Sequence, residues 1–151
     1  MSGTTRGRQW ILAWVAPVAA LVGAAPAVAA GGSVVAWGNK VLMEDSSGGY
    51  VAVAAGGGQS LALKADGSIA AGGHNYYYGQ CDVPSPNTGF VAVAAGGSHN
   101  LGLKDDGSVV GWGSNSHGQC DVPLPNAGFV AVAAGGGHSL GLTADGTVVA
   151  W

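Results

Sequence analysis

One twelve-residue unit is written three times in this chain. It reads GYVAVAAGGGQS from Gly49 to Ser60, GFVAVAAGGSHN from Gly89 to Asn100 and GFVAVAAGGGHS from Gly128 to Ser139. Each copy runs into a related sequel: LALKADGSIAAGG, LGLKDDGSVVGWG and LGLTADGTVVAW. Val51 and Val91 are 40 residues apart, Val91 and Val130 39. A period near 40 that carries several short strands marks a propeller or a similar array, in which each unit buries its apolar faces against its neighbours.

Within a unit, Val51-Ala52-Val53-Ala54 alternates large and small residues, the period of a strand whose two faces meet different surroundings. A Gly-rich turn follows at Gly56-Gly57-Gly58. Ser60 to Lys64 reads as a second strand. Ala65-Asp66-Gly67 is a hairpin signal, because Gly accepts positive φ at little cost. It recurs as Asp105-Asp106-Gly107 and Ala144-Asp145-Gly146. Ser68 to Ala71 returns as a third strand. A Pro-rich connector follows, in which Cys81-Asp82-Val83 and Cys120-Asp121-Val122 predict a short fourth strand ended by Pro. The expected fold is therefore all-β, a β-propeller of four-stranded antiparallel blades, with about three blades over residues 31–151 as an incomplete, open arc.

Ahead of the array, residues 1–30 have the three parts of a secretory signal peptide. Arg6 and Arg8 supply the positive region, Trp10 to Val22 the apolar stretch, and Ala27-Val28-Ala29 a small-x-small cleavage site. Pro17, Gly23 and Pro26 weigh against a permanent membrane anchor. The expectation is export, to the cell envelope or beyond, with no membrane span once the leader is cleaved. Past the leader, three lysines (Lys40, Lys64, Lys104) face eight carboxylates. So few cations cannot neutralise many phosphates, which argues against nucleic acid as a partner.

From Ser33 onward the chain resembles the regulator of chromosome condensation repeat family. The resemblance rests on Gly137-His138-Ser139-Leu140-Gly141-Leu142, Asp145-Gly146 and Val148-Val149-Ala150-Trp151, and on Trp112-Gly113-Ser114-Asn115-Ser116-His117-Gly118-Gln119 in the connector. The short period and the Gly-Gln-x-x-Val-Pro connector look most like a secreted bacterial branch that includes a β-lactamase inhibitor. The resemblance implies a seven-bladed propeller with a binding role. Seven units of about 39 residues need on the order of 270 residues, so this sequence reads as part of a longer propeller; the alternative is an oligomer that completes the ring. Gly72 stands where the family has Trp, and Gln59 where it has His.

Chemistry-bearing residues are few. His99 and His138 share one repeat position, which points to packing rather than catalysis. His74 and His117 have no Cys or carboxylate cluster at metal-ligand spacing. Cys81 and Cys120 occupy one position in successive units and are expected as separate thiols, since equivalent outer segments of neighbouring blades diverge. Asp66, Asp106 and Asp145 belong to hairpins, without the spacing of a calcium loop. Ser60 and Ser139 lack a nucleophile elbow. No catalytic, metal-binding or cofactor-binding residue is assigned.

One feature does not repeat. Tyr76-Tyr77-Tyr78 occupies a connector that in the next unit carries only Ser116-His117, and it lengthens that unit by one residue. Tyr is enriched at interfaces because its ring is large, stiff and amphipathic. Tyr76, Tyr77, Tyr78 and His117 are the candidate contacts for a protein partner. The competing reading is that one ring fills the space left by Gly72. The function expected is an exported, non-enzymatic protein-binding scaffold; the alternatives are a secreted enzyme inhibitor and a structural envelope array.

Overall fold

A computed structural model describes residues 48–151. The expected leader, the strand-like Ser33–Gly38 stretch and Lys40 lie outside the described residues. The rest forms three antiparallel sheets in succession. Blade 1 is β1 (Tyr50–Ala55), β2 (Gln59–Lys64) and β3 (Ile69–Gly73); blade 2 is β4 (Phe90–Ala95), β5 (His99–Lys104) and β6 (Val109–Gly113); blade 3 is β7 (Phe129–Ala134), β8 (Ser139–Thr143) and β9 (Val148–Ala150). Strand order within each blade follows the sequence. Each sheet packs against the next, and together they form an open arc of a β-propeller. Among the described residues no helix is long and apolar enough to cross a membrane.

The Asp-Gly hairpins form as the sequence predicts. Gly67, Gly107 and Gly146 have φ of 79°, 80° and 88°, a region that a residue with a Cβ occupies only under strain. The preceding carboxylate braces the turn: Asp66 Oδ1 accepts the Ser68 N–H at 2.9 Å and its hydroxyl at 2.6 Å, and Asp106 does the same for Ser108.

The inner strands depart from simple alternation. A bulge interrupts each pairing one residue in, between Tyr50 and Ala52, Phe90 and Ala92, and Phe129 and Ala131. The bulge offsets the two-residue period by one place. Phe90 and Val93, three apart, therefore both pack toward blade 1, with Leu61, Leu63, Ile69 and Trp112. Ala92 and Ala94 turn the other way, to Leu101, Leu103, Val109, Phe129 and Val132. The core is thus a series of apolar seams between blades, and Leu61 and Leu101 are wholly buried within them.

A polar line runs beside each seam. Gln59 Nε2 lies 3.1 Å from the Gly96 carbonyl and 3.2 Å from Asn100 Oδ1 in the next blade. The Asn100 amide donates to the Gln80 carbonyl at 2.7 Å, which also accepts from the Trp112 indole at 3.1 Å. Backbones meet directly where Gly57 N–H donates to Gly96 O and Gly97 N–H to Gly135 O, each at 3.1 Å. A Cβ on Gly57 or Gly97 would fall 2.6 Å from the carbonyl oxygen of the neighbouring glycine, so this approach requires glycine.

The expected fourth strand is corrected: the blades are three-stranded. Cys81-Asp82-Val83 and its copy form a turn and an extended stretch with no ladder. Side-chain amides do the pairing instead. Asn87 accepts the Ile69 N–H and donates to the Ile69 carbonyl, both at 2.8 Å; Asn126 does the same for Val109 at 2.7 and 2.8 Å. Prolines at 84, 86, 123 and 125 lack the N–H groups a ladder needs.

Candidate protein-binding face

Each third strand ends beside the start of the second, so the connectors leave the blade at the same end as the Gly-rich turns. His74 N–H donates to Gly58 O at 2.7 Å, and Ser114 N–H to Ser98 O at 2.8 Å. The tyrosines follow directly, in a turn at 76–78. His117 lies at this end too, since its Nδ1 is 3.8 Å from where a Cβ on Gly137 would stand. The structure thus brings the four candidate residues to one end of the arc.

The tyrosine rings are exposed, 82%, 87% and 53% for Tyr76, Tyr77 and Tyr78. They do not fill the space beside Gly72. Tyr76 meets His74 edge-on at 5.3 Å, and Tyr77 and Tyr78 stand 6.3 Å apart. His117 is exposed, with Nδ1 2.9 Å from Ser116 Oγ. Its N–H donates to Gln119 Oε1 at 2.8 Å, whereas the equivalent Gln80 Oε1 is buried with no donor among the described residues. The added residue in the tyrosine loop accompanies the loss of that bond.

An asparagine frames each loop. Asn75 accepts the Cys81 N–H at 2.9 Å and donates to Asp82 at 2.8 Å; Asn115 serves Cys120 and Asp121, both at 2.8 Å. Sequence reading missed this pair and the Asn87/Asn126 pair. The signal was present, since all four stand at matching places in the two connectors.

Lys64 and Lys104, the two described side chains of permanent positive charge, sit at the opposite, hairpin end. Lys104 Nζ lies 3.9 Å over the Phe90 ring and donates to the Thr88 carbonyl. Cys81 and Cys120 are both free thiols. Burial, and then the Asp121 carboxylate, push the Cys120 thiol up to about 11, and burial with Asp82 raises Cys81. Such thiols are poor nucleophiles at neutral pH. Among the described residues no three His, Cys, Asp or Glu side chains gather to hold a metal.

Three-stranded antiparallel blades stacked around a common axis, with loops gathered at either end, define a β-propeller. Residues 90–119 and 129–151 match the regulator of chromosome condensation (RCC1) repeat, and over those stretches the chain is similar to that family. The CRINKLY WD40 ectodomain of the Arabidopsis thaliana receptor kinase ACR4 is similar, with 27% identity, a TM-score of 0.59, and 68% of this chain covering 36% of that one. Human WBSCR16 is similar at 24% identity and TM-score 0.58, over 72% of this chain and 34% of that one. Prp20p of Saccharomyces cerevisiae, described with its binding to Gsp1p and histones, is similar at 22% identity and TM-score 0.56, over 68% and 30%. The chain spans about a third of the length of these structures. No curated protein matches it.

Proposed function

We propose that this chain is an exported, non-enzymatic protein-binding scaffold that presents the Tyr76-Tyr77-Tyr78 loop, with His117 beside the next blade, to a protein partner. The observation that carries the reading is three exposed tyrosines in the connector that departs from its copy. Three large exposed rings in succession form a contact patch of the kind that anchors interfaces. A frame made of repeated blades suits this use, because loops carry recognition while the sheets hold them still. Fold relatives that contact proteins, Prp20p with Gsp1p, histones and Kap60, lend support. Export is supported by the leader at residues 1–30.

The test is site-specific photocrosslinking in the producing cells. A benzophenone side chain at Tyr77 is expected to give a discrete protein adduct in the envelope or secreted fraction, and one at Leu124, exposed in the connector between blades 2 and 3, none. Adducts at Leu124 with none at Tyr77 would overturn the assignment.

A further inference from the structure

The tyrosine loop is held between two blades that both belong to the described residues. Asn75 clasps Asp82 across it at 2.8 Å, and the Gln80 carbonyl near its end accepts from Asn100 and Trp112 of blade 2. Within that frame the rings of Tyr76, Tyr77 and Tyr78 are exposed. Their faces are regions of negative potential, because the π-electrons of an aromatic ring lie above and below its plane.

The charge beside them has the same sign. Asp82 is exposed and engages Asn75 through Oδ1 alone. Its Oδ2 lies 3.0 Å from where a Cβ on Gly79 would stand, directly after Tyr78. Asp121 repeats this beside His117, with Oδ2 3.5 Å from where a Cβ on Gly118 would stand. Among the described residues no lysine or arginine stands at this end. Lys64 and Lys104 sit at the hairpin end, each over a ring of its own blade: Lys64 Nζ is 5.8 Å from the centre of Tyr50 and Lys104 Nζ 3.9 Å from that of Phe90. The described blades thus pair their cations with aromatic rings at one end, and at the other present rings and carboxylates without them.

We propose that the partner engages this loop through an arginine side chain, its guanidinium lying against the tyrosine rings and donating to Asp82. This deepens the reading of the loop as a protein contact and rests on it. A guanidinium fits both surfaces, since its flat face stacks on an aromatic ring while its edge donates hydrogen bonds to a carboxylate. An anionic side chain here would be repelled, and an apolar one would strip water from Asp82 without replacing it. The tip can adjust around the incoming group. Gln80 Oε1 has no donor among the described residues, so the loop lacks the bond that His117 N–H makes to Gln119 Oε1 in its copy.

The test is an NMR titration of the purified chain, read at the ring protons of Tyr76, Tyr77 and Tyr78. One titrant is a capped glycine-rich peptide with two arginines; the other has citrulline in their place, which keeps the shape and loses the charge. The arginine peptide is expected to shift the rings saturably in the millimolar range, and the citrulline peptide to leave them unmoved. Asp82→Asn, which keeps the oxygen that Asn75 bonds to, should bind the arginine peptide about threefold or more weakly. Asp105→Asn, exposed at the hairpin end, should bind it like the wild type. Equal shifts with the two peptides, or an Asp82→Asn variant that binds as tightly as the wild type, would overturn the proposal. A discrete adduct from the Tyr77 crosslinker with no ring shift would overturn the arginine assignment and leave the protein contact standing; no adduct removes both.

Discussion

His99 Nε2 lies 3.0 Å from Ser139 Oγ, across the seam between blades 2 and 3, and Ser139 Oγ lies 2.7 Å from the Gln119 carbonyl. A carbonyl only accepts, so the serine hydrogen goes to Gln119 and His99 must donate from Nε2. Its Nδ1 is buried, with no partner among the described residues. Burial, followed by the nearby His138, holds the His99 pKa below its ordinary value, against a backbone hydrogen bond at His138 that pulls the other way.

The sign of the pH dependence follows. Between the lowered folded value and about 6.5 the unfolded chain binds more protons than the folded one, so stability rises with pH and levels off above that range. Urea melts at pH 5 and 7.5 should show the higher midpoint at 7.5. His99→Gln should remain folded, because Gln59 fills the same position in blade 1, and should flatten the slope. An unchanged slope would remove His99 from the account.

Leu101 and Leu140 test the seams directly. Leu101→Ala leaves a cavity in a closed seam and should cost about 2–5 kcal/mol. Leu140→Ala alters a partly exposed residue and should cost less than about 1 kcal/mol. Denaturant midpoints at fixed m-value decide between them.

Asn126→Ala removes both bonds to the Val109 backbone and leaves two polar groups unmatched. It should cost about 1–3 kcal/mol. Amide exchange at Val109 should quicken more than at Leu101, whose strand keeps partners on both sides.

With its thiol near 11, Cys120 has about one thiolate in a thousand at pH 8. Iodoacetamide at pH 8 should label it far more slowly than a free cysteine peptide, and denaturation should abolish the difference. Intact mass should be the same with and without reductant.

Much of the fold was legible because its signals are local and repeated. Asp66-Gly67 and its copies marked the hairpins, and the large-small alternation after Val51 marked a strand whose two faces meet different surroundings. What stayed hidden depends on contacts across space. The bulge that turns Phe90 to the side of Val93 has no composition of its own. Nor does a sequence say that the Asn87 side chain replaces a fourth strand, since one amide can mimic a backbone unit without any strand-like run. The tyrosine loop was found by its failure to repeat, but only coordinates show its rings in solvent rather than against Gly72.

The bracket formed by Asn75 and Asp82 closes at the same 2.8 Å as that of Asn115 and Asp121, although it encloses one residue more. The clasp fixes where the loop begins and ends, and the Gln80 carbonyl anchors it to Asn100 and Trp112, which leaves the tip at residues 76–78 the least constrained part. Segments of different length and chemistry can be exchanged at that tip while the surrounding blades keep their register. That makes this corner of the molecule the natural place for new specificities to arise, by selection or by design.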